Sequence, residues 1–430
     1  MTSDGRMVNA YVPGSGKLDA AEEALIARRA AALGPAYRLF YEHPLQIVRG
    51  EDVWLHAADG RRYLDAYNNV ASVGHCHPHV VEAIARQAAT LSTHTRYLSE
   101  STVAFAERLL ATFPREIGHV MFTCTGSEAN DLAVRLARNV TGAEGFLITA
   151  NAYHGVTEAT AGLSPSLGPA VPRPRGVRLL PAPLHGDGEA FAADVRAAIA
   201  SLAADGIRPA ALIVDTIFSS DGVIPDPAGF LSPAVAAIRA AGGLFIADEV
   251  QPGFGRTGAG LWGFSRHGVV PDMVSMGKPM GNGYPVAALA MKPEMVADFG
   301  ARARYFNTFG GNSVAIAAAS AVLDVIENQN LIANARDVGA HFKAGLLSLK
   351  APQIAAVRGV GLFLGVDIAR EAKADAKEAA RLVNGLREAG VLISATGPNG
   401  NILKIRPPLT FTKDQADWFL ERFATVLTST

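Results

Sequence analysis

Residues 243–283 read GLFIADEVQPGFGRTGAGLWGFSRHGVVPDMVSMGKPMGNG. Two apolar runs, Gly243–Val250 and Asp272–Met276, are too short for helices and are bounded by Gly and Pro, so they predict strands. The first holds Asp248 inside its apolar run, and the second leads into Gly277-Lys278-Pro279-Met280-Gly281-Asn282-Gly283. Outward from there the pattern repeats at His119–Thr123, Gly145–Thr149 and Ala210–Asp215, with amphipathic Ala-rich segments such as Asp131–Val140 and Ala228–Ala241 between the runs. From about Pro78 to Ala315 this predicts an α/β unit, a mainly parallel sheet flanked by helices.

The flanks read differently. Residues 18–41 predict a helix broken near Gly34-Pro35. QIVRGEDVWLHAADGRRYLDA (46–66) alternates and turns at Asp59-Gly60, which predicts short antiparallel strands. Beyond Val325 come a helix, the strand pair VRGVGLFLGVDI, a second helix and a short strand at ILKIRPP, a smaller α+β unit. The expected organisation is an N-terminal segment 1–65 joining the small domain, a large domain 66–325, and a C-terminal small domain 326–430.

Composition narrows the function. Of 430 residues 49% are hydrophobic and 18% charged, below the roughly 25% of ordinary soluble domains, so a large buried core is expected. With 39 basic against 40 acidic residues, no overall field draws nucleic acid or an anionic membrane. Two cysteines, Cys76 and Cys124, exclude a disulfide framework and suit a reducing, cytoplasmic compartment. Asp4 and Arg6 fall where a secretory leader needs its apolar stretch, and the longest apolar run, Val314–Leu323, is about half a membrane span. An intracellular enzyme is expected.

Open α/β sheets bind ligands beyond the carboxyl ends of their strands, so those ends carry the candidates. HVMFT runs into Cys124-Thr-Gly-Ser-Glu-Ala-Asn130 and a helix; such a Gly-Ser turn leaves free N–H groups for a phosphate, although alone it reads as an ordinary helix cap. Tyr153, after FLIT, can stack on a planar ligand or simply pack in its loop. Asp248 needs a buried cationic or N–H partner, whereas Glu249 points to the other face and is expected to be solvated or in a local ion pair. Lys278, between glycines after an apolar strand, is expected to be desolvated and therefore nucleophilic, though alone it reads as a surface lysine. Together a phosphate cradle, an aromatic plate, a buried acid and a lysine match the needs of pyridoxal phosphate.

Thr125-Gly-Ser-Glu-Ala-Asn130, Tyr153-His-Gly155, Asp248-Glu-Val-Gln-Pro-Gly-Phe-Gly-Arg-Thr-Gly258, Gly277-Lys-Pro-Met-Gly-Asn-Gly283 and Asn307-Thr-Phe-Gly-Gly-Asn312 resemble the class III aminotransferases, pyridoxal-phosphate enzymes of fold type I. The resemblance runs from Leu64-Asp65 to Arg406-Pro-Pro408. It implies a large cofactor domain, a small domain built from both termini, and a homodimer with shared active sites. It further implies Lys278 as the Schiff-base lysine and Asp248 as partner of the pyridine nitrogen. Gly126 and Ser127 would hold the phosphate, Tyr153 would stack on the ring and Gln251 would lie near its hydroxyl. Thr308 would reach the phosphate of the partner's cofactor, and Arg406 would bind a substrate carboxylate.

Other motifs read more plainly. GFGRTG (253–258) satisfies the dinucleotide pattern in letters but precedes a poor helix start. His75, Cys76, His77 and His79 are dense enough for a metal, yet Pro78 makes His-Pro-His-Val-Val a helix start, and no metal is expected. Arg173, Arg175 and Arg178 read as a solvated loop. Within the family, Asn68–Pro78, Thr95-Arg-Tyr-Leu98, Gly359–Gly365 and LISATGPNGNILKIRPP resemble the branch with the ethanolamine-phosphate and phosphohydroxylysine phospho-lyases. Asp215-Thr-Ile-Phe218 departs from the usual Glu with a downstream Gln, and Arg406 stands where that branch can carry lysine. The expectation is amino transfer from a small primary amine or amino acid to a keto acid, with elimination of phosphate and ammonia from a phosphorylated amine as the alternative.

Overall fold

The computed structural model describes residues 7, 9–14, 18–183 and 187–429; Asp4 and Arg6 lie outside them. Near the N-terminus, β1 (Ile47–Glu51), β2 (Trp54–Ala57) and β3 (Arg62–Asp65) form the predicted antiparallel meander. The central sheet holds β4 (His119–Thr123), β5 (Gly145–Thr149), β6 (Val177–Leu180), β7 (Pro209–Asp215), β8 (Leu244–Asp248), β9 (Met273–Met276) and β10 (Ala287–Met291). Their order is β4-β10-β9-β8-β7-β5-β6, and β10 alone runs against the others. The C-terminal part adds β11 (Ile354–Val360), β12 (Phe363–Arg370), β13 (Lys373–Ala374), β14 (Val391–Leu392), β15 (Ser394–Thr396) and β16 (Ile402–Ile405). β14 joins β3 in parallel, closing a four-stranded sheet from both ends of the chain, while β11-β12-β16-β15 form a separate antiparallel sheet with β13 on β12.

The unbroken apolar strands are explained by burial on both faces. Along β7, Leu212 and Val214 pack into one core and Ala211 and Ile213 into the other, as the two-residue period of a strand requires. Helix Gly126–Thr141 closes one face with Leu132, Ala133, Leu136 and Ala137, and Gly188–Ala204 packs against Ser232–Ala240. The apolar run 314–323 lies within helix Ser313–Asn328, which is buried along most of its length. Among the described residues no helix is long and apolar enough to cross a membrane.

Two expectations change. The first helix spans Ala20–Leu33 and stops at Gly34, whose φ of +70° ends it; residues 35–41 do not resume the helix, and Tyr41 itself adopts a φ of +67°. The helix expected over 228–241 begins at Ser232, with proline in its first turn.

Candidate active site

Because β4 to β9 run the same way, their carboxyl ends share one edge, and a cavity of about 270 Å³ opens there. Gly126, Ser127, Tyr153, Asp248, Gln251 and Lys278, six of the predicted site residues, line it, with Asp215 beside them. Arg406 instead lines a neighbouring cavity of about 450 Å³ that meets the first at Lys278 and Val70. Thr308 is exposed and lines neither.

Thr125 caps helix Gly126–Thr141, its hydroxyl accepting from the Glu128 amide at 3.1 Å. The amides of Gly126 and Ser127, in the first turn, have no acceptor among the described residues. Two free N–H groups at the positive end of a 16-residue helix form an anion cradle. Close packing requires the glycine: a Cβ at Gly126 would stand 2.8 Å from Val250 Cγ2. Gly155, at φ +135°, brings the next loop against Ser127, where a Cβ would fall 2.7 Å from its Cα.

Asp248 is buried, and both of its oxygens have partners. Oδ2 accepts from Asn130 Nδ2 at 2.9 Å and lies 2.7 Å from His154 Nδ1, and Oδ1 accepts from the Val250 amide at 3.1 Å. Toward that carboxylate the His154 Nδ1 donates, and its buried Nε2 has no partner among the described residues. The residue after β8 does not behave as expected: Glu249 is not solvated and has no ion pair among the described residues. Its carboxyl is buried and accepts from Thr216 Oγ1 and the Gly263 and Phe264 amides at 2.7, 2.7 and 2.8 Å, and burial pushes its pKa up to about 7.

Lys278 follows β9 with a φ of +33°, and its Nζ stands 5.8 Å from the Tyr153 ring centroid. Burial, reinforced by Arg406, lowers its pKa and so favours a free amine. Asp215 sits in register with Asp248 across β7 and β8; burial and the Asp248 charge raise its pKa. Burial also pushes the Cys124 thiol up to about 11, which keeps this cavity residue from acting as a thiolate. Arg406 donates from Nε to the Tyr67 carbonyl at 2.8 Å and from Nη1 to Gln251 Oε1, and its guanidinium lies 4.5 Å from the Tyr67 ring centroid. All these partners are neutral.

The remaining motifs have structural roles. His75 bonds Asp65 at 2.7 Å, His79 bonds Asp324 at 2.9 Å, and His77 precedes the helix that Pro78 opens. Arg256 of GFGRTG is buried against the carbonyls of Pro407 and Leu362, and no α-helix follows that turn. Arg178 pairs with Asp205, so that arginine is tied down rather than loose. Asn130 and His154, which hold Asp248, stood inside quoted motifs without a role.

Comparison with known proteins gives these features a common origin. A model of the family Aminotransferase class-III matches residues 39–427. The chain belongs to the class-III aminotransferases. It is 39% identical over 421 residues to alanine–glyoxylate aminotransferase 2-like of Drosophila melanogaster, covering 92% of this chain and 85% of that one. It is 36% identical over 424 residues to ethanolamine-phosphate phospho-lyase homolog 1 of Caenorhabditis elegans, covering 91% of each. Among solved structures, a phospholyase from Arthrobacter in complex with phosphoethanolamine superimposes with a TM-score of 0.91 at 41% identity, over 94% of this chain and 100% of that one. This class-III aminotransferase is thus a pyridoxal-phosphate-dependent enzyme, and its site fits that group: unclaimed amides for a phosphate, an aromatic face, a buried carboxylate and a desolvated amine share one cavity.

Proposed function

We propose that this enzyme takes a small primary amine bearing a phosphate ester and eliminates phosphate and ammonia from it. With O-phosphoethanolamine and one water, the products would be acetaldehyde, ammonia and inorganic phosphate. The observation that carries the reading is Arg406: a guanidinium in the cavity that adjoins the first at Lys278, held only by neutral acceptors, is left to meet a substrate anion. The likeness over nearly the whole chain to a phospholyase holding phosphoethanolamine supports phosphate as that anion.

In this reading the Gly126 and Ser127 amides would hold the cofactor phosphate, Tyr153 would stack on its ring and Gln251 would lie near its hydroxyl. Asp248, fixed by Asn130 and His154, keeps a proton on the ring nitrogen. When bound, pyridoxal phosphate supplies an aldehyde for the lysine and an electron sink for the pair left by a departing proton. The Lys278 amine, free because it is desolvated, takes the proton from the substrate α-carbon.

Amino transfer to a keto acid is the second reading. It shares every residue role up to proton removal, and Arg406 offers a fork suited to a carboxylate. The aminotransferase names of relatives such as the Drosophila protein favour it. The two separate in one experiment. Phosphate released from O-phosphoethanolamine without any keto acid supports elimination; alanine formed from an amine and pyruvate, with no phosphate release, overturns it.

We infer a homodimer with shared sites. Thr308 is exposed in the single chain, on a loop tied to the cradle helix by Asn307 Nδ2 donating to Glu128 at 3.1 Å, and Tyr97, Leu98 and Phe309 leave large apolar surface open. That supports Thr308 reaching the partner's cofactor. The pairing of β14 with β3 supports a small domain made from 1–65 and 326–430 around a large domain 66–325. The free thiols Cys76 and Cys124 support a cytoplasmic location.

A further inference from the structure

The loop that follows β7 is gripped from outside its own sheet. Thr396 Oγ1 of β15 donates to the carbonyls of Ser220 at 3.1 Å and Ser219 at 3.5 Å, and the Gly397 amide donates to Ser220 at 3.3 Å. Arg358 of β11 donates from Nη2 to the Gly222 carbonyl at 3.0 Å and from Nε to that of Val223 at 3.4 Å. Its guanidinium is itself held as a fork by Asp367 of β12, at 2.6 and 2.7 Å. The seat is close: a Cβ at Gly365 of β12 would stand 3.1 Å from Val223 Cβ, and one at Gly222 would stand 2.8 Å from Ile402 Cδ1.

The gripped loop is strained. Phe218 and Val223 adopt φ of +51° and +62°, a backbone that a branched side chain keeps only where its surroundings impose it. The Phe218 carbonyl accepts from the Asp221, Gly222 and Val223 amides at 3.1, 3.1 and 3.0 Å, and the Ile224 amide donates to the Ile217 carbonyl at 2.7 Å. Val223 is buried in a cluster with Ile217 and Phe363 of β12. The near end of this loop enters the cofactor cavity. Asp215, which ends β7, lines that cavity in register with Asp248, and its oxygens accept from the Ile217 and Ser219 amides, both at 3.1 Å. The charged groups around it are Asp248, Glu249, Asp221, Lys278 and Lys404, and among the described residues none of them bonds it. The loop therefore sets where this carboxyl stands.

We infer that Arg358 is a positioning residue for the cofactor site: from the C-terminal sheet it holds loop 216–223 in its strained form, and through that loop it fixes the Asp215 carboxyl beside the bound cofactor. An arginine that only braced β11 against β12 would need Asp367 alone; this one spends two donors on carbonyls of another sheet's loop. Because a charge acts on its surroundings inversely with distance, displacing the carboxyl changes the proton affinity of the bound cofactor. The inference goes beyond the proposed reaction, since elimination and amino transfer use the same cofactor site.

The test is the pH midpoint of the bound cofactor's visible absorbance, read without substrate in full-length, cofactor-loaded protein. It is therefore independent of which reaction the enzyme performs. Asp215→Asn defines the signal and should move the midpoint by about one pH unit, a tenfold change in proton affinity. Arg358→Met should move it in the same direction by about half a unit, or threefold, and Arg358→Lys, which can reach Asp367 and one carbonyl, should recover part of that shift. Thr396→Val, which removes one donor to the loop and almost no volume, should give a smaller shift of the same sign. In the Asp215→Asn background Arg358→Met should add nothing, because the carboxyl it positions is gone. No shift in Arg358→Met, or an equal shift with and without Asp215, overturns the inference, as does an unmoved midpoint in Asp215→Asn itself. Should Arg358→Met fail to fold, Thr396→Val decides: a shift of the same sign sustains the grip on the loop, and an unmoved midpoint overturns it.

Discussion

The carboxyl edge of the central sheet and the turn after β16, which carries Arg406, meet two adjoining cavities but are built on opposite rules. On the sheet edge, Asp248 has three partners and Gly126 is packed too tightly for a side chain. Just after β16, Arg406 has only neutral partners among the described residues. A resident group can be met by a finished, rigid surface, because it seldom leaves. A transient one is better met by charge that stays unspent until it arrives. The contrast teaches where to look in such a fold: the acid that meets the cofactor ring is fixed by its own partners, whereas a cation held only by neutral acceptors marks the substrate.

The comparison breaks first at Lys278. Lys278→Ala should cut turnover by roughly 10⁴-fold or more with the melting temperature nearly unchanged, since among the described residues the Lys278 side chain makes no hydrogen bond. Borohydride should fix the cofactor to wild-type protein and not to this variant; retained activity would remove the proposed role. Asp248→Asn comes next, with a fall in kcat of roughly 10²–10³-fold expected, because a neutral amide no longer favours a protonated ring nitrogen. A mild effect would mean that this saturated acid merely supports Asn130 and His154. Gly126→Ala should act on the cradle alone. Its Cβ would press on Val250, moving the helix start and weakening cofactor affinity by about tenfold, read by fluorescence titration with pyridoxal phosphate.

How much of this was legible in the sequence follows the same division. Strand ends are written locally: an apolar run that stops at a small or charged residue announces both the strand and what it presents, so Asp248, Lys278 and the 126–127 turn could be read directly. Partners brought from a distance could not. His154 reaches Asp248 across 94 positions and Arg406 reaches Gln251 across 155, and nothing in either segment states that pairing. Residues 35–41 were misread for a related reason. Their composition tolerates a helix, but residues 38–41 line the second cavity, and Tyr41, at a positive φ, donates from its hydroxyl to the Ile393 carbonyl at 3.0 Å. Tertiary packing there overrides local preference.

The smallest effect sharpens the comparison within a single strand. Asp248, the last residue of β8, and Glu249, which follows it, are both buried, and only the first faces the site. Glu249 has three donors but no cation, and burial raises its pKa from 4.5 to about 7. The folded protein therefore holds a proton that the unfolded chain releases between those values. The stability this contributes is complete below about pH 4.5 and is lost as pH rises to about 7. The loss is of the order of 3 kcal/mol if the full shift operates, and Asp221, raised to about 6 mainly by burial, adds in the same direction. Glu249→Gln should lower stability at every pH, because its amide NH₂ faces at least one donor. It should also flatten the decline in melting temperature between pH 5 and 8 while leaving KM unchanged. An unchanged slope would place the titration elsewhere, and an altered KM would mean that the two faces of β8 are coupled rather than divided between scaffold and site.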